Sequence, residues 1–268
     1  MTKQSIKAPA PSLPNSVFKM FDMHGKVVII TGGSGGIGYE VARGLAEAGA
    51  DIALWYNTSP ADKQAAALTK DYGVKAKAYK VSVQNFEEVK SATQSVVADF
   101  GGLHVMIANA GIPSKAGGLD DKLEDWHRVV DVDFSGAYYC ARVAGEIFKK
   151  QGHGNLIFTA SMSGHAVNVP QQQACYNACK AGVIQLAKSL AVEWAGFARV
   201  NSVSPGYIDT AISGDCAFEM KEAWYSLTPL KRDADPRELK GVYLYLASDA
   251  STYTTGTDII VDGGYTCR

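Results

Sequence analysis

A glycine-rich segment directly after the first strongly apolar run is the feature that most limits how this chain can fold. Val27 to Thr31 is almost entirely β-branched or apolar, and the next seven residues are Gly-Gly-Ser-Gly-Gly-Ile-Gly. A helical pattern from Tyr39 to Ala48 follows and stops at Gly49. Glycines let the backbone turn tightly, and a helix N-terminus attracts anions. The segment predicts a strand, a tight turn and a helix that together suit a phosphate group; an ordinary flexible turn is the alternative.

Short apolar runs alternate with helical stretches along the rest of the chain, an order typical of parallel α/β folds. Runs without polar alternation are expected where helices cover both faces of a sheet. We predict one domain over 24–268, built on a doubly wound, seven-stranded parallel sheet, after a flexible, proline-bearing arm over 1–23. The predicted strands are Val27 to Thr31, Ile52 to Tyr56, Lys75 to Val81, Val105 to Asn109, Asn155 to Thr159, Arg199 to Ser204 and Asp258 to Val261.

Composition argues against several classes of partner. The 26 basic and 27 acidic residues are evenly spread and give a formal net charge of −1, so neither nucleic acid nor a membrane surface is an expected partner. No segment approaches the roughly 20 apolar residues that span a bilayer. Five cysteines without a CxxC pair indicate reduced thiols in a cytoplasmic protein, and no histidine has metal-ligand spacing, so we expect no metal. A small-molecule partner is therefore favoured.

The end of the second predicted strand indicates which dinucleotide the glycine turn would bind. A carboxylate about 20 residues after such a turn holds a ribose 2′-hydroxyl, but the stretch from Trp55 to Pro60 has none. The short donors Asn57, Thr58 and Ser59, with Lys63 a turn later, suit a 2′-phosphate; a turn and helix cap is their alternative role. We therefore predict NADP(H) as the cofactor, with NAD(H) as the alternative.

Tyr176 and Lys180 lie four residues apart in a stretch with helical spacing, so they share one helix face. An ammonium about 4 Å from a phenol, at an effective dielectric of about 20, contributes roughly 4 kcal/mol and should bring the phenol pKa near neutrality. Ser161 follows the fifth predicted strand and could hydrogen-bond a substrate oxygen. Ser163 is the rival serine. Either serine could instead hydrogen-bond backbone groups at the end of the strand. The tyrosine and lysine could instead be a packed tyrosine beside a surface lysine.

Five motifs occur in order: Thr31-Gly32-x-x-x-Gly36-x-Gly38, Asn109-Ala110-Gly111, Ser161, Tyr176-x-x-x-Lys180 and Pro205-Gly206. Over nearly the whole chain they resemble the short-chain dehydrogenase/reductase family. The resemblance implies a Rossmann-type sheet, catalysis by Ser161, Tyr176 and Lys180, and hydride transfer between a nicotinamide and an alcohol or carbonyl carbon. A mobile lid at about 211–228 is also implied. The expected cofactor contacts are Gly32, Ser34, Gly36, Ile37, Gly38, Asn57, Thr58, Ser59, Ser82, Asn109, Gly111, Tyr176, Lys180, Ile208 and Thr210.

Three positions depart from the pattern of the family. Asp133 stands where much of the family has an asparagine that acts mainly through its backbone carbonyl, so we assign no role to the Asp133 side chain. Ser82 replaces the family's adenine-facing aspartate. Gly35 stands where many NADP(H) members have a basic residue, which weakens the argument for NADP(H).

A closer likeness is to fungal ketose and polyol members: sorbose reductases, L-xylulose reductases, NADP-dependent mannitol dehydrogenases and related stereoselective carbonyl reductases. It rests on Thr159 to His165, Phe197 to Asn201, Ser204 to Thr210 and Asp262 to Cys267. The expected function is reversible, NADPH-dependent reduction of ketoses or other carbonyl compounds to alcohols. A reductase of aryl ketones or acyl thioesters and a non-catalytic nucleotide-binding scaffold are the alternatives.

Two groups of residues have more than one explanation. The polar residues His165, Asn168 and Gln171 to Gln173 suit a hydroxylated substrate or an ordinary loop. Apolar helix positions suit either a core or the subunit interface of a homotetramer or homodimer, the assembly that the resemblance implies. These positions are Val129, Val132, Ala137 and Ala141 on one stretch and Val183, Leu186 and Leu190 on another.

Overall fold

This computed structural model describes residues 10–211 and 216–267 of the chain. Its central element is a seven-stranded sheet. Its strands are β1 (Val27–Thr31), β2 (Asp51–Tyr56), β3 (Ala76–Lys80), β4 (Val105–Ala108), β5 (Asn155–Thr159), β6 (Arg199–Pro205) and β7 (Asp258–Val261). All neighbours pair in parallel, in the order β3-β2-β1-β4-β5-β6-β7. The predicted α/β class and doubly wound parallel sheet are confirmed.

Helices connect the strands and cover both faces of the sheet. Among the described residues they are α1 (Val17–Met20), α2 (Gly36–Glu47), α3 (Asp62–Tyr72), α4 (Phe86–Phe100), α5 (Leu123–Val130), α6 (Gly136–Gln151), α7 (Ala174–Glu193), α8 (Phe218–Leu227) and α9 (Lys240–Ala247). A π-helical turn, Asp131–Ser135, separates α5 from α6. No helix in this described part has the length and apolar character needed to cross a membrane.

Alternate residues of the central strands enter two apolar cores, one on each face of the sheet. In β1, Ile29 packs with residues of α4, α6 and α7, whereas Val28 and Ile30 pack with residues of α2, α3 and α9. Because both faces are covered, β1, β4 and β5 are buried along their whole length, which explains their unbroken apolar sequences. Most of the helix positions that suited either a core or a subunit interface belong to buried apolar clusters: Val129, Ala137, Ala141, Val183 and Leu190.

The chain leaves β1 and β4 in opposite directions, which opens a crevice at their carboxyl ends. Hydrogen bonds close the bottom of this crevice. Thr31 Oγ1 accepts from the backbone N–H groups of Asn109, at 2.9 Å, and Ala110, at 2.8 Å. Asn109 Nδ2 donates to the Thr31 carbonyl at 2.9 Å. We call these contacts between Thr31, Asn109 and Ala110 the seam; they fix the spacing between the two strand ends.

The structure describes parts of the predicted arm and of the predicted lid. Residues 1–9 of the predicted arm and residues 212–215 of the predicted lid lie outside the described residues. Within the arm, Val17–Met20 forms one helical turn, and Met23 is fully buried in the core on the α2 side. The backbone N–H of Met23 also donates to the Ala48 carbonyl at 2.9 Å. Within the lid, the described residues include α8.

Candidate active site

The glycine loop, Gly32 to Gly38, lies at the carboxyl end of β1 and leads into α2. Gly32 and Gly36 have φ values of 66° and 52°, which favour glycine. A Cβ on Gly38 would run into the Gly32 carbonyl oxygen and lie 2.7 Å from Asn109 Nδ2. Gly35, the N-cap of α2, provides no side-chain cap to the first N–H groups of the helix. The loop therefore fits a phosphate group, which would accept from these N–H groups.

Residues from two other segments lie beside the glycine loop. Gln64 Nε2 on α3 donates to the Ser34 carbonyl at 2.9 Å. A Cβ on Gly36 would lie 3.5 Å from Thr210 Cγ2, so the segment after β6 approaches the loop from the other side. Asn57, Thr58 and Ser59 are exposed and directly follow β2. The structure thus gathers the expected loop, strand-end and Thr210 positions around one cleft.

Two expected cofactor residues have specific contacts within the protein. The Asn109 side chain belongs to the seam and also accepts a hydrogen bond from Thr159 Oγ1 at 3.1 Å. Its amide is therefore engaged with β1 and β5. The Ser82 N–H donates to Glu88 Oε2 on α4 at 2.9 Å. Glu88 thus brings a carboxylate beside the position where the family has an aspartate. The end of β3 does not predict this contact, because Glu88 lies six residues after Ser82, on α4.

Tyr176 and Lys180 lie on the first turns of α7 and point into the same crevice. Lys180 Nζ lies 5.3 Å from the centre of the Tyr176 ring and donates to the Thr159 carbonyl at 3.1 Å. The Tyr176 N–H donates to Ser114 Oγ at 3.2 Å, which anchors the start of the helix. The i, i+4 spacing and the end of β5 therefore bring the ammonium next to the phenol, as the sequence pattern predicts.

Burial dominates the acid–base behaviour of Tyr176. It raises the pKa of the phenol above its usual range; Lys180 lowers that pKa, Asp133 raises it, and a hydrogen bond with Ser161 lowers it. The predicted phenol pKa near neutrality is therefore wrong for this structure, because burial outweighs the ammonium and Asp133 offsets its charge. A phenol with a raised pKa carries its proton at neutral pH, as a proton donor must.

The two candidate serines have different surroundings. Ser161 follows β5 and is close enough to Tyr176 to lower the pKa of the phenol. Its hydroxyl accepts from the Ser163 N–H at 3.1 Å and donates to Ser163 Oγ at 3.0 Å. Gln173 Nε2 lies 3.2 Å from Ser163 Oγ, within hydrogen-bond distance. Ser161 is thus the serine next to the phenol, and Ser163 lies behind it.

Asp133 adds a buried carboxylate to this group. It lies in the π-helical turn, and its side chain is fully buried. Oδ1 lies 3.2 Å from Lys180 Nζ, and Oδ2 accepts from the Ile112 N–H at 2.9 Å. The sequence assigns no role to this side chain, and the structure places it in contact with Lys180 and with the Ile112 backbone. The helical pattern around Asp133 did not reveal a π-helical turn, so the inward position of the side chain was missed.

A cluster of amide side chains lines the crevice next to Ser163. Gln173 Nε2 donates to Asn168 Oδ1 at 2.9 Å and Asn177 Oδ1 at 3.0 Å, while Gln171 Nε2 donates to Gln173 Oε1 at 2.9 Å. The Tyr207 hydroxyl accepts from Asn168 Nδ2 and donates to Gln171 Oε1, both at 3.2 Å. We call Asn168, Gln171, Gln173, Asn177 and Tyr207 the amide cluster. Tyr207, which follows β6, was not predicted to join it.

Aromatic rings support the amide cluster from behind. The Tyr207 ring stacks on Trp224 of α8 with centroids 4.1 Å apart and contacts Tyr265 edge-on at 5.6 Å. Tyr207 thus joins the amide cluster through its hydroxyl and the aromatic group through its ring. Within the described part of the chain, no group of three or more His, Cys, Asp or Glu residues is arranged to hold a metal ion.

The sequence and the fold both match known proteins. A family model described as enoyl-(acyl carrier protein) reductase matches residues 32–266. A probable NADP-dependent mannitol dehydrogenase of Yarrowia lipolytica is 56% identical over 264 residues, which cover 98% of this chain and 95% of that protein. A sorbose reductase of Candida albicans is 54% identical over 265 residues, or 98% of this chain and 94% of that protein. The chain is a short-chain dehydrogenase/reductase.

A solved structure supports the same assignment. The NADPH-dependent 3-quinuclidinone reductase of Rhodotorula rubra is 46% identical and superposes with a TM-score of 0.94, covering 99% of this chain and 100% of that one. This short-chain dehydrogenase/reductase is therefore an oxidoreductase that acts on CH–OH or carbonyl groups, and the predicted Rossmann-type architecture is confirmed. The predicted non-catalytic alternative is not supported.

Proposed function

We propose that this enzyme reversibly reduces ketoses and related hydroxylated ketones to polyols, with NADPH as the hydride donor. The observation that carries the proposal is the contact between Ser161, Tyr176 and Lys180 next to the amide cluster. Amides both donate and accept hydrogen bonds, so such a wall suits a substrate with several hydroxyl groups. The similar proteins named as mannitol dehydrogenase and sorbose reductase support the same substrate class.

In the proposed mechanism, Ser161 and Tyr176 both donate hydrogen bonds to the ketone oxygen. A bound nicotinamide supplies the hydride to the carbonyl carbon. Tyr176 transfers its proton to the oxygen as negative charge develops there. Lys180 stabilises the phenolate that remains, because its ammonium lies 5.3 Å from the ring centroid. In the reverse direction Tyr176 takes the proton from the alcohol.

The proposal of NADP(H) rests on charge and on the relatives. The exposed donors Asn57, Thr58 and Ser59 follow β2, and no carboxylate among them would repel a 2′-phosphate. The mannitol dehydrogenase and the quinuclidinone reductase are both named as dependent on this cofactor. We propose that Gly32, Ser34, Gly36, Ile37, Gly38, Ser82, Asn109, Gly111, Ile208 and Thr210 form the rest of the cofactor site, with Asn109 contributing through its backbone.

A second substrate class is also supported by an observation. The Tyr207 ring, stacked on the buried Trp224, makes part of the wall next to the amide cluster aromatic. The similar quinuclidinone reductase acts on a ketone without sugar hydroxyls. Bulky cyclic or aryl ketones are therefore the second candidate class.

One assay tests the proposal and separates the two classes. Oxidation of NADPH and of NADH is followed by absorbance with D-fructose, L-sorbose, L-xylulose and acetophenone as substrates. We expect the highest kcat/KM with NADPH and a ketose. Turnover of acetophenone alone would overturn the ketose proposal, and turnover with NADH alone would overturn the cofactor.

The Tyr176→Phe variant tests the mechanism separately. It removes the proton donor and leaves the ring, so NADPH should bind with unchanged affinity while kcat falls by about 10²- to 10⁴-fold, the range for a lost general acid. Ser161→Ala and Ser163→Ala, measured together, should show the larger loss for Ser161. Wild-type turnover by Tyr176→Phe would overturn the assignment.

We also propose a homotetramer or homodimer in a cytoplasmic setting. Trp126, Phe134 and Tyr138 are 40%, 37% and 41% exposed on neighbouring helical segments, and a partner subunit would cover such large rings. All five cysteines are free thiols, as a reducing compartment maintains them. Light scattering on the purified protein measures the assembly; a monomer at working concentration would overturn it.

A further inference from the structure

A buried ion pair lies directly beneath the proposed proton donor. Asp133 Oδ1 is 3.2 Å from Lys180 Nζ, and the two side chains are 0% and 4% exposed. In most proteins a charge this deeply buried is paired or neutralised, because removing it from water is costly. The pair therefore fixes both the position and the charge environment of Lys180.

The surroundings of the pair leave the carboxylate little freedom. Asp133 Oδ2 accepts from the Ile112 N–H at 2.9 Å. A Cβ on Gly111 would lie 2.7 Å from Asp133 Oδ1 and 3.2 Å from Lys180 Nζ, so only glycine leaves room for the pair. The Thr159 carbonyl holds the ammonium from the other side at 3.1 Å. Asp133 and Thr159 together anchor Lys180.

The same carboxylate acts on Tyr176 with the opposite sign to Lys180. Burial lowers the pKa of Lys180, but Asp133 and Tyr176 raise it by more, so the ammonium keeps its charge. Lys180 lowers the pKa of the Tyr176 phenol, whereas Asp133 raises it. Burial raises the pKa of Asp133 itself, against the effect of Lys180.

The two thiols near the pair are neutral in the working range. Cys179 on α7 faces Tyr176, Lys180 and Asp133, and burial raises the pKa of its thiol to about 12. Burial also raises the pKa of Cys175, which Asp121 and Asp133 raise further. Asp133 is thus the negative charge that acts on both Tyr176 and Lys180.

We propose that Asp133 is a positioning residue of the proton relay, whose buried carboxylate anchors Lys180 beside Tyr176 and offsets part of the ammonium charge. This inference rests on the proposed role of Tyr176. It gives the aspartate a function that an asparagine could not supply, since asparagine is similar in shape but uncharged. The Ile112 hydrogen bond alone needs only an oxygen, which both side chains have.

The decisive experiment compares wild type with Asp133→Asn in the pH dependence of kcat/KM for NADPH-driven reduction of the most active ketose. Removing the negative charge stabilises the phenolate beside Lys180, so the phenol pKa falls. The alkaline limb should move to lower pH by about one unit, a tenfold lower rate at a fixed pH on that limb. Asp131→Asn is the matched control, because it removes the same charge from an exposed residue of the same π-helical turn. Its profile should stay in place.

Each outcome decides one question. An unshifted Asp133→Asn profile, with Tyr176→Phe inactive, overturns this inference and leaves the proposed function intact. An active Tyr176→Phe overturns the proposed function itself. A purely structural role would lower the thermal midpoint and kcat without moving the limb. If Asp133→Asn does not fold, Asp133→Ser provides a smaller neutral variant, and ultraviolet titration of the phenolate, corrected with Tyr176→Phe, measures the same shift.

Discussion

The two sides of the crevice differ in the groups that form them: backbone atoms and glycines on one side, and side chains on the other. On the cofactor side, formed by the glycine loop and the ends of β1 and β2, the loop packs closely through glycines and backbone atoms, and Asn57 to Ser59 are exposed polar side chains. On the substrate side, formed by Ser161 and the amide cluster, they come from partly buried side chains that bond to one another. The first side depends on close backbone approach, whereas the second depends on side-chain chemistry. Substitutions should therefore have large, general effects on the cofactor side and smaller, substrate-dependent effects on the other.

The largest effect is expected from Gly38→Ala, which breaks the cofactor side. The new methyl group would strike the Gly32 carbonyl oxygen and crowd Asn109 Nδ2. Overpacking of this kind costs about 1–3 kcal/mol of folding free energy, and relieving the clash would displace the loop backbone that would bind the phosphate. We expect this displacement to lower NADPH affinity about 100-fold, roughly 2.7 kcal/mol. Fluorescence titration with NADPH measures the loss. Gly241→Ala is the control, since that helical glycine has open space around it; equal losses in both variants would contradict the argument.

The seam between the two sides gives the next largest effect. Thr31→Val keeps the shape of the side chain but removes the oxygen that accepts from two backbone N–H groups. Leaving both donors unsatisfied should lower the free energy of unfolding by about 2 kcal/mol or more. Urea unfolding measures it. Thr31→Ser keeps the oxygen and should lose only about 1 kcal/mol for the buried methyl group. A Thr31→Val variant as stable as Thr31→Ser would show that the seam contributes little.

Asn57→Asp tests whether the cofactor side contains a position that works through its side chain. A carboxylate after β2 would repel a 2′-phosphate and accept from a 2′-hydroxyl. We expect kcat/KM with NADPH to fall about tenfold, since residue 57 is exposed and the repulsion is screened, while kcat/KM with NADH rises. Asn57→Ala separates charge from loss of the amide. An unchanged ratio of the kcat/KM values for NADPH and NADH would contradict a role for Asn57 in cofactor binding.

The smallest effect is expected from Gln173→Ala on the substrate side. The change removes the amide that links Ser163, Asn168 and Asn177. The KM for a ketose should rise several-fold, about 1 kcal/mol for a lost neutral hydrogen bond, with NADPH affinity unchanged. Cyclohexanone, which has no hydroxyl group, should show little change. The exposed neighbour Gln172 provides the control variant. Equal effects on both substrates would contradict recognition of hydroxyl groups.

Local sequence patterns predicted most of the fold and the central residues of the site. The seven strands, the helix after the glycine loop and the Tyr176–Lys180 pair follow from short stretches of sequence with clear periodicity. The amide cluster could only be suspected, because Tyr207 joins Asn168 through a contact between distant segments. The effect of Asp133 and the direction of the Tyr176 pKa depend on burial and on a π-helical turn, which the local sequence pattern did not reveal.

The seam has a consequence for how enzymes of this shape diversify. Because Thr31, Asn109 and Ala110 join the two strand ends below the crevice, its floor stays constant when residues above it change. Mutations in the segment between Ser161 and Tyr176, or after β6, change the walls of the crevice and leave the seam in place. Substrate preference can therefore change while the spacing between the two strand ends is kept.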